Sequence, residues 1–285
     1  MNHSFCIKTN NHCILDYLLK NFENSNFDGI YLTKNKFKNY HNIIVHYRGE
    51  AVSAFYDLFS DILANTIIYF YEKKLVNHLL SYHYFYFTDI DKHQILNSCF
   101  EMLDSTDDIE LLSRKDILRL LCLEYLVENH TLILDGFVKF RIKEYQKFLD
   151  LVVDTAVNEF TIRREYLEFI NLLKMYIDST PSKQDIIHLI YSNKESILMD
   201  ENNSIISTTD DIFKAKYLSD ITFSSNDFAL NTLLTILPRK LYIHIIDYED
   251  EFIDTLKLIF DHRVFLCKEC NICKTYKDLT KKIHR

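Results

Sequence analysis

The run Val138-Lys139-Phe140-Arg141-Ile142-Lys143-Glu144-Tyr145-Gln146-Lys147-Phe148-Leu149-Asp150-Leu151-Val152-Val153-Asp154-Thr155-Ala156 places apolar residues at Val138, Ile142, Tyr145, Leu149, Val152 and Ala156. Those spacings alternate four and three, so the side chains share one narrow face of an α-helix, a seam suited to packing against other helices. Asp135-Gly136 is the turn that precedes it. Around Thr161 to Arg164 the seam shifts register, and Tyr166, Ile170, Leu173 and Ile177 restart it. A pattern this long makes helix the dominant element of the middle of the chain.

Helical spacing also extends upstream to Glu50. Val52, Phe55, Phe59, Ile62 and Ile67 to Phe70 form a broad apolar stripe that continues to Leu79 and Leu80. Further helices are expected near Ile90 to Leu103, with Asp89 as a cap, and near Ser113 to Glu128, where Ser113 and Asp116 stand as a helix start. Ser179-Thr180-Pro181-Ser182 closes this region, because proline lacks a backbone donor and forces its predecessor out of helix.

Both ends read differently. Ser4 to Lys8, a helix over Asn11 to Phe22, and the runs Gly29 to Thr33 and Ile43 to Tyr47 make a βαββ unit, with a solvated connector at Asn35 to Asn39. Beyond Pro181, Ile186 to Tyr191, Ser196 to Met199 and Ile205-Ile206 suggest a meander, followed by helices over Asp210 to Leu218 and Asn226 to Leu237. The end is strand, helix, strand: Leu241 to Ile246, Glu249 to Phe260 and Arg263 to Cys267. Such a crossover makes its two strands parallel. The expected fold is α+β: an N-terminal βαββ unit at 1–49, a predominantly helical region at 50–180, and an α/β unit at 181–285.

Composition narrows the function classes. Of 285 residues 48% are hydrophobic, including 21 Phe and 19 Tyr, enough for a sizeable core without metals or disulfides. With 3 Gly and 2 Pro there is little material for phosphate-binding loops or flexible linkers. A net charge of −8 opposes a general affinity for nucleic acid, which draws on clustered Lys and Arg. The exception is the basic tail 274–285, where Lys274, Lys277, Lys281, Lys282 and Arg285 face Asp278 alone. Nucleic acid is therefore not expected except through this tail, for which an anionic membrane surface is a second reading and a simply solvated segment the commoner one, and an unknown protein partner is expected. The uncharged stretches Ile62 to Tyr71 and Phe228 to Pro238 fall short of the roughly twenty residues that span a bilayer, so no transmembrane segment is expected. Cys6, Cys13, Cys99 and Cys122 lie scattered among apolar residues, and the start Met1-Asn2-His3-Ser4 lacks a secretion signal. Both observations point to the cytoplasm.

Cys267, Cys270 and Cys273 carry the sharpest chemistry. Successive three-residue spacings let thiolates turn onto one ion, zinc ahead of an iron–sulfur cluster. Three ligands are close at hand, and the fourth is left open among His284, His262, Cys6, Cys13 and an exogenous group. Unliganded reduced thiols are the plain alternative. Thiol redox chemistry is a third reading, opposed by the placement of the motif after a strand instead of at a helix start. His41, His46, His78, His83 and His188 show no spacing with a dedicated mechanism. His244 alternates with Tyr242 and Ile246 on one strand face, which reads as a satisfied, half-buried imidazole, while Asp247 and Asp250 read as caps of the next helix. Asp135-Gly136 before Arg141 and Lys143 admits an anion at a helix start or a simple capped turn. Arg163, Arg164 and Glu165 read as a solvated helix face. Nucleotide-loop, nucleophile-elbow and paired-carboxylate signatures are missing, so the sequence makes no positive case for an enzyme.

Two stretches together carry a resemblance: Leu134-Asp135-Gly136-Phe137-Val138-Lys139-Phe140-Arg141 with its long helix to Tyr176, and Val264-Phe265-Leu266-Cys267-Lys268-Glu269-Cys270-Asn271-Ile272-Cys273. With these, the length and the element order, the chain resembles the YtxC-like sporulation protein family of endospore-forming Firmicutes over nearly its whole length. The resemblance implies a setting in sporulation and a binding or structural role, and it assigns no catalytic residue.

Overall fold

The computed structural model describes residues 2–37, 40–105, 113–206 and 224–283. The helix expected over Asp210 to Leu218 lies outside the described residues, as does His284. The chain forms two compact units, Met1–Ile162 and Arg163–Arg285.

In the first unit, β1 (Asn2–Thr9), α1 (His12–Asn24), β2 (Ile30–Phe37) and β3 (Tyr40–Arg48) realise the βαββ pattern with longer strands than the sequence suggested. Asn11 starts α1 by accepting a hydrogen bond from the Cys13 amide at 2.9 Å. Gly29 enters β2 at φ +85°, where an added Cβ would stand 2.5 Å from the Arg48 carbonyl oxygen, so only glycine fits the turn. Both β1 and β2 run antiparallel to β3, with Phe5 opposite Val45 and Leu32 opposite Val45 across the two ladders. A short β4 (Thr131–Ile133) pairs parallel to β1, giving the order β2-β3-β1-β4. Three residues are too few to show a period of two, which is why β4 was hidden inside the expected helical region.

Helices α2 (Val52–Ile67), α3 (Lys73–His83), α4 (Asp89–Ser105) and α5 (Arg114–Glu128) follow, with a π-helical turn at Ile68–Glu72 between α2 and α3. Glu72 is buried in that turn, where its carboxylate accepts from the Tyr145 hydroxyl and faces Arg114 at 3.4 Å. Burial holds the Glu72 carboxyl above its usual range against the opposing pull of Tyr145 and Arg114. The quoted seam is broken once: α6 (Leu134–Phe140) ends at Arg141, and α7 (Lys143–Ser179) then runs unbroken. Ile142, Tyr145, Leu149, Val153 and Ala156 are fully buried, so Val153 takes the place the spacing gave to Val152. Asp135-Gly136 lies inside α6, after its N-cap Ile133, and not in a turn that precedes the helix as expected; the Asp135 carboxylate accepts from the Tyr71 hydroxyl at 2.7 Å. Arg163 and Arg164 are exposed, and Arg164 pairs with Glu168 one turn on.

The second unit contains the end of α7, β5 (Ile186–Ser192), β6 (Glu195–Asp200), α8 (Ser225–Ile236), β7 (Lys240–Ile245), α9 (Glu251–Phe260), β8 (Val264–Cys267) and α10 (Asn271–Ile283). Its sheet has the order β6-β5-β7-β8, separate from the first, with β7 parallel to both neighbours as the crossover required. A two-residue turn, Asn193 (φ 53°) and Lys194 (φ 64°), joins β5 to antiparallel β6. Ser224 and Asp227 form a reciprocal capping box on α8, and Leu237 ends that helix in the left-handed region before Pro238. Asp250 caps α9 as expected, but Asp247 instead accepts from Ser192 Oγ and the Asn193 amide and braces the β5–β6 turn.

Strand alternation gives this sheet two unlike faces. One presents Ile187, Leu189, Tyr191, Leu241, Ile243 and Ile245 to apolar residues of α7, α8 and α9. The other presents Ile190, Met199 and Ile246, which meet Ile272, Cys273 and Tyr276 at the start of α10. Among the described residues no helix is long and apolar enough to cross a membrane.

Candidate metal centre

The site begins with strand register. In the parallel pair β7–β8, His244 stands beside Cys267, and across β5–β7 it stands beside Ile190. Register partners in a sheet share a face, so the His244 imidazole and the Cys267 thiol both point toward α10. Chain leaving β8 turns through Lys268 to Cys270, and α10 starts at Asn271, with Cys273 buried in its first turn. Cys270-Asn271-Ile272-Cys273 therefore opens a helix, contrary to the expectation that the motif only follows a strand.

Three segments thus converge on one point. His244, Cys267, Cys270 and Cys273 bring one ligand atom each to within 4.8 Å of one another. His244 Nδ1 lies 3.3 Å from Cys270 Sγ and 3.4 Å from Cys273 Sγ. Cys273 Sγ lies 3.6 Å from Cys270 Sγ and 3.9 Å from Cys267 Sγ. Tetrahedral zinc, with Zn–S about 2.3 Å and Zn–N about 2.0 Å, separates its ligand atoms by roughly 3.5–3.8 Å. The quartet has the dimensions of a cage for a single ion, whereas a cluster of several irons distributes its thiolates over a wider frame.

Behind the imidazole, His188 Nδ1 lies 2.9 Å from His244 Nε2. If His244 Nδ1 faces an ion as a lone pair, Nε2 carries the proton and donates it to His188, the outer hydrogen bond that ligating histidines commonly make. His188 is itself held flat against Tyr242, with ring centroids 5.4 Å apart and planes 21° apart.

Electrostatics suit the donor set. Burial, and next the neighbouring His188, push His244 down to about 4, so the imidazole is neutral and free to ligate at neutral pH. Burial opposes ionisation of Cys267, yet the Cys270 amide and thiol, the Glu269 amide and the Cys273 thiol outweigh it and bring Cys267 below the ordinary thiol range. Cys273 is pushed up to about 12, chiefly by burial and then by its contact with Cys270. A cation held by these residues would reverse that balance by stabilising the thiolate.

Of the residues singled out in the sequence, the three cysteines are brought together, and the described candidates for fourth ligand, Cys6, Cys13 and His262, do not join them. Cys6 and Cys13 lie on β1 and α1 of the first unit, His262 lies in the turn Asp261–Arg263, and none belongs to the quartet. His244 was read as a satisfied strand residue. The signal that could have found it is the parallel crossover itself, since the ends of β7 and β8 must then lie side by side.

A curated relative, named "Uncharacterized protein YtxC", from Bacillus subtilis (strain 168), is 25% identical over 213 residues, covering 69% of this chain and 72% of its own length. No solved structure matches the chain. The YtxC-like family profile matches residues 57–265, which includes the helical middle, β5 to β7 and His244 but stops before Cys267. With more than half of its 285 residues matched, the chain belongs to the YtxC-like family.

Proposed function

We propose that this chain binds one zinc ion through His244 Nδ1 and the thiolates of Cys267, Cys270 and Cys273, and that the ion serves structure by fastening α10 to the sheet. The observation that carries the proposal is that four donors, from β7 and from the stretch 267–273, meet within 4.8 Å of one another, four of their separations being 3.3–3.9 Å. Four protein ligands fill the coordination sphere of zinc and leave no place for a reacting water, which is the pattern of structural and not catalytic sites. Elemental analysis of protein purified without a metal-affinity tag tests it. Close to one equivalent of zinc is expected, falling with His244→Ala and with Cys270→Ser, and less than about a tenth of an equivalent would end the proposal.

Within the cell, this reading makes the chain a cytoplasmic, sporulation-associated protein of binding or structural type. Support comes from its family and from an exposed apolar cluster in the first unit, where Tyr82, Phe85, Tyr86 and Ile90 are each 64–75% exposed. Apolar surface gathered in this way is suited to a protein partner. Deleting the gene and counting heat-resistant spores tests the setting, and normal spore yield and resistance would refute it.

A further inference from the structure

The strands of the second sheet have another end. Where β7 and β8 begin, opposite the ligand quartet along those strands, an open cleft of about 590 Å³ lies beside the residues that enter the sheet. Arg239, Lys240 and Arg263 line it with His262, Ser182 and Phe265. Asp185 is the one carboxylate in that lining. Three permanent cations facing a single anion are a marked local excess in a chain of net charge −8.

The cations are arranged unequally. Arg263 is fixed: its guanidinium donates to the Ile177 carbonyl at 2.9 Å, to Ser182 Oγ at 3.2 Å and to the Pro238 carbonyl at 3.3 Å. These bonds tie Arg263 to the last turn of α7 and to Ser182 and Pro238 in the loops that follow α7 and α8, and they leave further guanidinium N–H donors uncommitted. No carboxylate among the described residues pairs with Arg263, although Asp261 and Lys174 pair 3.5 Å apart nearby. Arg239 and Lys240 use their backbone amides on Gln184 and Asp185, while their side chains have no acidic partner among the described residues. Phe265 is 41% exposed and is backed by Tyr242, with ring centroids 5.3 Å apart, so it offers a firm, flat apolar wall.

We infer that this cleft binds a small phosphorylated molecule, with its phosphoryl group on Arg239, Lys240 and Arg263 and a planar body against Phe265. Arginine forks match the oxygens of a phosphoryl group, and lysine adds a point charge. The volume falls in the usual range for small-ligand sites. This site stands apart from the proposed zinc site, and its test is independent of metal occupancy.

The test is calorimetric titration of the full chain with inorganic phosphate and with adenosine monophosphate at about 0.15 M salt, where diffuse surface attraction is screened. Saturable binding of both probes is expected, the nucleotide several-fold tighter. Arg239→Gln combined with Lys240→Gln removes two exposed side chains with no structural partner, so the fold is kept, and binding of both probes should fall at least tenfold. Phe265→Leu should weaken only the nucleotide. Three results would overturn the inference: no saturable binding below about 10 mM, undiminished binding in the double variant, or a nucleotide no tighter than phosphate.

Discussion

The two faces of the second unit's sheet are covered by different means. On one, seven strand residues from Ile187 to Ile245, Leu198 among them, meet apolar side chains of three helices. On the other, Ile190, Met199 and Ile246 meet the first turn of a single helix, α10, whose 13 residues would be marginal in isolation. At roughly 25 cal/mol per Å² of apolar surface, a wide layer of helices holds itself down, while a few side chains do little more than offset the entropy of ordering them. The narrow face is also where the four proposed ligand atoms meet. Directed donors stand where area runs out.

The contrast can be broken at either face. Ile243→Ala in the broad core should have the largest effect, lowering unfolding free energy by about 2–5 kcal/mol in a urea titration and leaving zinc content per folded molecule unchanged. A loss below about 1 kcal/mol would show that the broad face is less decisive than argued. Cys273→Ser should weaken zinc binding by more than about 100-fold, beyond what loss of an outer partner brings. Hydrogen exchange should then become fast over 271–278 and stay slow in β5 and β7. If β5 and β7 also lost protection, the ion would be holding both faces. His188→Ala keeps all four donors and should weaken zinc by about 10- to 100-fold, measured by competition with a chelator. The smallest effect belongs to Lys268→Ala: its pair with Glu249 at 3.0 Å is solvent-exposed, so stability should change by less than about 1 kcal/mol.

Much of this was legible from residues. Long-period features survived translation: the helical seam through Tyr145 and Leu149, the βαββ start and the parallel crossover at the end all appear in the structure. Short or non-local features did not. The three residues of β4 show no period, and the break at Arg141-Ile142 leaves the apolar spacing intact because both sides of it face the same core. His244 was hidden for a related reason. Its role depends on β7–β8 register, a relation between residues separated by a whole helix, while its local pattern is that of any half-buried strand residue. The cysteines could be read because their relation is local, three residues apart, while the sequence leaves the fourth position open among residues that do not include His244.

The pairing of His244 with Cys267 would make the proposed ligand set a gauge of strand alignment. A slip of β8 by one residue would turn Cys267 to the opposite face and pull one donor out of four away from the others. Only the correctly aligned chain could close the proposed cage, so tight ion capture would proofread the last strand to join the sheet, rewarding the right alignment and withholding that reward from its nearest competitor.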